Sequence, residues 1–137
     1  MTTVLAVDLG SASGRVLAGT LTDGRLDVTD IHRFKHEARR RADGTLTWDV
    51  ATMEAETIIG LKKALEQFPD AKTVSIDTWG VDWAPLDDNG ELVGDVIAYR
   101  DERTSRTLDA FRDRIADREF FDLTGNQPAT INTANQL

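Results

Sequence analysis

The sequence has no cysteine, only 3 prolines and a single tyrosine, and no long apolar run. Without cysteine there is no disulfide framework, no thiolate metal site and no thiol nucleophile, which suits a reducing, cytoplasmic setting. The N-terminal apolar stretch, Val4 to Val7, stops at Asp8, far short of a secretory core or of the roughly 20 residues a spanning helix needs. Positive charge is also scarce: 16 Lys+Arg stand against 24 Asp+Glu, for a formal net charge of −8. A chain with no basic surplus cannot neutralise a phosphate backbone, so nucleic acid and membrane surfaces are both set aside as partners. What is present is ordinary for a folded domain, with 40% apolar and 29% charged residues among 137, enough to bury a core.

Hydrophobic patterning orders the chain. Val4 to Val7 reads as a strand buried on both faces, and Arg15 to Leu21 and Arg25 to Ile31 as two further strands. The hairpin signal Thr22-Asp23-Gly24 joins the latter two, which predicts an antiparallel meander with the first strand toward the sheet centre. Leu26, Val28, Ile31 and Phe34 are expected on one side of it. Lys35 to Gly44, with Arg39-Arg40-Arg41 and Asp43-Gly44, predicts an exposed loop or hairpin tip. Asp49 can cap a helix carrying Met53, Thr57, Leu61, Ala64, Leu65 and Phe68 at three- and four-residue steps, ended by Pro69. Thr73 to Asp77 reads as a second buried strand, Asp87 to Gly90 as the turn of a second hairpin, and Leu108, Phe111 and Ile115 as one face of a helix. From Phe120 to Leu137 turn chemistry dominates and no terminal helix is expected. Strand, strand, strand, helix, strand is the opening order of the ribonuclease H-like (actin-like) layout, so the expected class is α/β, a mixed sheet with helices, and incomplete.

Three segments carry chemistry. In Asp8-Leu9-Gly10-Ser11-Ala12-Ser13-Gly14-Arg15 a carboxylate closes a strand and a tight turn follows with two glycines and two hydroxyls. Such a turn can aim N–H groups and hydroxyls at phosphate oxygens, or it can be a plain β-turn with Asp8 as its polar cap. Were polyphosphate to bind there, Asp8 would repel it by several kcal/mol in a partly desolvated site. Mg²⁺, which takes carboxylate and phosphate oxygens together, resolves that conflict. Neither a Walker loop nor a dinucleotide fingerprint opening a helix is present.

The second segment, Asp77-Thr78-Trp79-Gly80-Val81-Asp82-Trp83, sets two acids and two indoles within seven residues. That suits a sugar, which offers hydroxyls to acids and C–H faces to rings, and it equally suits two core tryptophans. In the third, Ala98-Tyr99-Arg100-Asp101-Glu102-Arg103-Thr104, an arginine could clamp an oxygen-rich ligand with Asp101 orienting it. A solvated helix start is the alternative. His32 and His36 stand four apart on a strand and loop with no third ligand, which speaks against a metal pair. Ser11 and Ser13 lack a histidine base.

These segments, with Ile31-His32-Arg33-Phe34 and Thr47-Trp48-Asp49-Val50, resemble the N-terminal part of FGGY-type carbohydrate kinases. The loop is common to many actin-like kinases, whereas Ile76-Asp77-Thr78-Trp79-Gly80-Val81-Asp82 and Tyr99-Arg100-Asp101 are more specific. The resemblance implies transfer of the γ-phosphoryl of ATP to a ketose hydroxyl, with L-rhamnulose the first candidate and L-fuculose another. It implies Asp8 at the metal, Gly10, Ser11, Ala12, Ser13, Gly14 and Arg15 at the ATP phosphates, and Gly80, Thr78, Trp79 and Asp82 at the sugar, with Arg100 and Asp101 looser candidates. Ser11-Ala12-Ser13 differs slightly from the more usual Ala-Ser-Ser order. In such kinases the catalytic aspartate and the adenosine-binding domain lie well beyond residue 137. The expectation is therefore that residues 1–137 are the sugar-binding side of an actin-like kinase, without its C-terminal domain and inactive alone. Two other readings are a sugar- or nucleotide-binding module without catalysis, and a two-metal nuclease built on Asp8, Asp77 and Asp82.

Overall fold

The chain forms, in order, β1 (Thr2–Leu9), β2 (Ser13–Thr22), β3 (Arg25–Lys35), β4 (Arg39–Arg40), β5 (Leu46–Trp48), α1 (Val50–Gln67), β6 (Val74–Thr78), β7 (Val96–Ile97), α2 (Arg103–Arg112) and α3 (Asp117–Thr124), then a 3₁₀ turn at Thr133–Asn135. The structure is a computed structural model that describes all of residues 1–137. It divides into two units, Met1–Glu37 with Asp49–Trp79, and Ala38–Trp48 with Gly80–Leu137.

In the first unit the sheet runs β3-β2-β1-β6, with β1 antiparallel to β2 and parallel to β6. The β2–β3 turn holds Asp23 at φ 50° and Gly24 at φ 80°, the left-handed pair that matches the twist of a tight hairpin. Helix α1 starts where Asp49 accepts the Thr52 N–H at 3.0 Å and ends before Pro69, which has no amide hydrogen to continue it. Met53, Thr57, Gly60 and Ala64 form its buried stripe. A Cβ on Gly60 would lie 2.4 Å from Val16 Cγ2, so the absent side chain lets helix and sheet approach. Leu5, Val7, Val16, Ala18 and Ala64 make the core. Full burial of a valine such as Val7 or Val16 is worth roughly 1.5–3 kcal/mol.

Two expectations fail here for physical reasons. The β2–β3 register shifts between Val16 and Leu17, so that His32 faces Val16 while Asp30 faces Leu17. One extra residue in a strand turns every later side chain to the other face. Phe34 is therefore buried, whereas Leu26 and Val28 lie on the opposite face, each 60% exposed. Within these 137 residues β6, the strand expected to be buried, is exposed at all five positions, since α1 packs mainly over β2 and β3.

In the second unit the sheet is β4-β5-β7. Of the three arginines expected at a hairpin tip, Arg39 and Arg40 form β4 and Arg41 opens the β4–β5 turn, where it pairs with Asp95 and Gly44 takes φ +91°. The Asp87–Gly90 turn closes as expected, around a Leu86–Leu92 bridge. The stretch from Phe120 onward, expected to be dominated by turns, begins inside α3, which ends at Gly125 in the left-handed region. Eight residues are too few to show a helical period in sequence. Phe120 is held edge-on against Phe111, with ring centroids 5.3 Å apart, and that contact selects the helix. Gln136 donates to the carbonyls of Val81 at 2.7 Å and Ile131 at 3.1 Å.

Candidate functional site

The β1–β2 corner positions the first cluster. Asp8 and Arg15 are register partners across these strands. The guanidinium donates twice to one carboxylate oxygen, Nε to Oδ2 at 2.8 Å and Nη2 to Oδ2 at 2.7 Å. Between them the chain turns tightly, with the Gly10 N–H donating to the Ser13 carbonyl at 3.0 Å. Gly14 is buried under the Phe34 ring, and a Cβ there would fall 2.2 Å from Phe34 Cζ. Close packing, not a left-handed backbone, is what calls for glycine at this position. Ser11 and Ser13 remain half-buried at the surface of the turn. Asp77 stands in register with Asp8 on the other side of β1.

His36, which the sequence offers only as a weak metal-ligand candidate, also stands at this corner. His36 donates its backbone N–H to the Ala12 carbonyl at 3.3 Å, and its ring stacks on Trp79 at 5.7 Å and 27°. Burial pushes its pKa below the usual value, partly opposed by a backbone hydrogen bond at Gly10. His36 thereby connects the Gly10–Gly14 turn to Trp79. The available signal was the strand itself, since β3 runs to Lys35 opposite Ser13 and places the next residue beside the turn. His32 is committed elsewhere, with Nε2 at 2.7 Å from Glu56 and Nδ1 at 3.1 Å from Lys63.

The remaining candidates lie at the end of β6 and in the second unit. Thr78 closes β6 opposite Leu9. Gly80 has no neighbour within 4 Å of where a Cβ would stand. Asp82 accepts the indole N–H of buried Trp48 at 2.7 Å. Arg100 is exposed, donating from Nε to the Tyr99 hydroxyl at 2.8 Å with its guanidinium 5.1 Å from that ring centroid. Asp101 is buried and accepts the N–H groups of Leu46 at 2.8 Å and Arg103 at 3.0 Å. Burial alone would raise its pKa, but those two amides and the Arg103 guanidinium outweigh it and hold the carboxyl below the usual range. It therefore pins β5 to the start of α2 and occupies the wall of an open depression of about 740 Å³ shared with Arg40, Arg103 and Arg106.

Residues 3–137 match the model of the FGGY family of carbohydrate kinases, N-terminal domain. The chain belongs to that family. Among relatives, it is 37% identical over 132 residues to the rhamnulokinase of Bacillus subtilis, covering 96% of this chain and 27% of that protein. It is 38% identical over 136 residues to the rhamnulokinase of Enterococcus faecalis, covering 98% and 27%. The FGGY chain thus spans about a quarter of the length of the curated relatives it matches. A xylulose kinase of Brucella ovis superimposes with a TM-score of 0.75 at 17% identity over 98% of this chain and 27% of that one. Glycerol kinase of Plasmodium falciparum, solved with ADP, gives 0.75 at 16% over 99% and 28%. These two share the fold. The nuclease alternative falls with the family assignment. No helix is long and apolar enough to cross a membrane.

The oxygen donors at this corner fit the kind of divalent ion that the family implies. Its donors are all oxygen: a half-exposed Asp8 carboxylate, Asp77 in register beside it and the two serine hydroxyls. Mg²⁺ is usually held by one or two carboxylates completed by substrate phosphates and water.

Proposed function

We propose that this chain supplies the phosphate loop and part of the sugar site of an ATP-dependent ketose kinase that converts L-rhamnulose to L-rhamnulose 1-phosphate. The observation that carries this reading is the β1–β2 corner, a half-exposed carboxylate and a guanidinium flanking a hydroxyl-bearing turn whose Gly14 is sealed by Phe34. The rhamnulokinases among its relatives support the choice of ketose.

In this reading Gly10 to Ser13 present backbone N–H groups and hydroxyls to the ATP phosphates, Arg15 offsets their charge, and Asp8 holds the metal. Bound Mg²⁺ would neutralise the phosphate oxygens and hold them beside an acid that otherwise repels them. Thr78, Trp79, Gly80 and Asp82 supply the sugar contacts, with Trp79 braced by His36. Arg100 is free at its surface edge to reach a hydroxyl. Asp101 serves the sugar indirectly, by ordering the backbone that carries Arg100. Transfer of a phosphoryl group is mainly positioning and charge neutralisation, which a rigid corner can provide. The acid that takes the sugar hydroxyl's proton is assigned to sequence outside these 137 residues.

Two assays test the proposal. The isolated chain with ATP, Mg²⁺ and L-rhamnulose should give no L-rhamnulose 1-phosphate, and turnover would place a base within it. A complete kinase containing these residues should prefer L-rhamnulose to L-fuculose by kcat/KM, and the reverse order would overturn the substrate assignment.

A further inference from the structure

The pairing of Asp8 with Arg15 belongs to a longer row. Register places Arg33, Arg15, Asp8 and Asp77 abreast on β3, β2, β1 and β6. Their side chains share the sheet face opposite α1, because the neighbours Val7 and Val16 point into the core. The row reads plus, plus, minus, minus across four strands. Arg33 is held by Asp30 at 2.9 Å, so Arg15 is the cation engaged with the central acid. Both of its donors converge on Oδ2, the atom a divalent ion would also seek.

We propose that Arg15 is a built-in counter-ion of Asp8 that makes divalent-ion binding conditional on nucleotide. Without nucleotide, the guanidinium occupies the carboxylate and a bare ion must displace a cation to reach it. With polyphosphate in the Gly10–Ser13 turn, Arg15 has a second anion to pair with. Asp8 is then released to the ion that arrives with the nucleotide. The pair thus separates two states: a closed ion pair that keeps Asp8 and Asp77 from repelling one another, and an open site in which metal and phosphates replace that pairing. This inference rests on the proposed roles of Asp8 and the turn, and it adds an order of binding to them.

Mn²⁺ alone is a direct probe, because loss of its free-ion electron paramagnetic resonance signal reports binding without turnover. The titration is run on the 137-residue chain as wild type, Arg15→Gln, Asp8→Asn and the double variant. Arg25→Gln serves as a control that removes equal charge from an exposed Arg25–Asp27 pair. Arg15→Gln should tighten Mn²⁺ binding about three- to fivefold, the size expected when a partly exposed ion pair no longer competes. The gain should vanish in the double variant and be absent in Arg25→Gln. Unchanged affinity in Arg15→Gln while Asp8→Asn weakens binding would overturn the counter-ion role and leave Asp8 as the metal carboxylate. A gain that survives in the double variant, or that Arg25→Gln reproduces, would also overturn it, as an effect of net charge. If Asp8→Asn and Arg15→Gln both leave binding unchanged, the metal role of Asp8 falls as well. Circular dichroism of each variant confirms that the fold is retained, since both side chains are about two-fifths exposed.

Discussion

Asp8, near the end of β1, and Asp101, just before α2, each lie beside an arginine, yet they are held in opposite ways. Asp101 is buried and bound by two backbone amides, groups that cannot leave without unravelling β5 or α2. Asp8 is half-exposed and bound by the side chain of Arg15, which can rotate away without disturbing a strand. An acid held by main chain is part of the scaffold, whereas an acid held by a side chain can be handed to a ligand. The difference teaches that the partner's mobility, more than the acid itself, decides which carboxylate is free to change partners.

The sharpest way to break this contrast is to neutralise both acids in turn. Asp8→Asn in a complete kinase should lower kcat by about a hundredfold, the scale seen when a charge-stabilising group is lost. Sugar affinity and thermal stability should stay near wild type. Equal turnover would remove Asp8 from the reaction. Asp101→Ala should do the reverse, with a loss of about 2 kcal/mol in chemical denaturation because two amide donors lose a charged acceptor. Its pH dependence has a defined sign: a carboxyl held below its usual value stabilises the fold above about pH 3.9 and loses that contribution as pH falls through its folded value. The decline of stability in acid should be shallower in Asp101→Ala.

A third substitution probes the corner's packing. Gly14→Ala sets a methyl 2.2 Å from the buried Phe34 ring and should cost about 1–3 kcal/mol, as overpacked cores do. Phe34→Leu should recover part of that loss. Full stability in Gly14→Ala would mean that the turn moves easily and is no rigid phosphate seat. The smallest effect concerns His36, whose lowered pKa means that the unfolded chain takes up a proton first. Stability should be greatest above about pH 6.5 and decline as pH falls below it. His36→Phe, which keeps a ring on Trp79, should flatten that slope in a series of thermal melts.

Much of the candidate site's arrangement was legible because it is local. Asp8, the glycines and serines of the turn, and Arg15 are eight consecutive residues, and the strand before them and the hairpin after them follow from patterning alone. Helix α1 was equally plain, since Asp49, the apolar period and Pro69 all speak within one segment. What sequence could not reveal depended on distant partners. The amide of Leu46 that binds Asp101 lies 55 residues away and is invisible to spacing. His36 read as half of a weak metal pair because Trp79 reaches it only through the sheet.

The amino-acid order by itself determined the alternation of strands and α1 and the turn at Gly10–Gly14, since each rests on interactions among near neighbours, and its motifs along residues 3–137 mark the family. Tertiary structure alone decided the β3 bulge that turns Leu26 and Val28 to the open face, the stacking of His36 on Trp79, and the pairing of Arg15 with Asp8. Register and coverage are properties of two segments at once, and a one-residue shift in either changes which side chains meet.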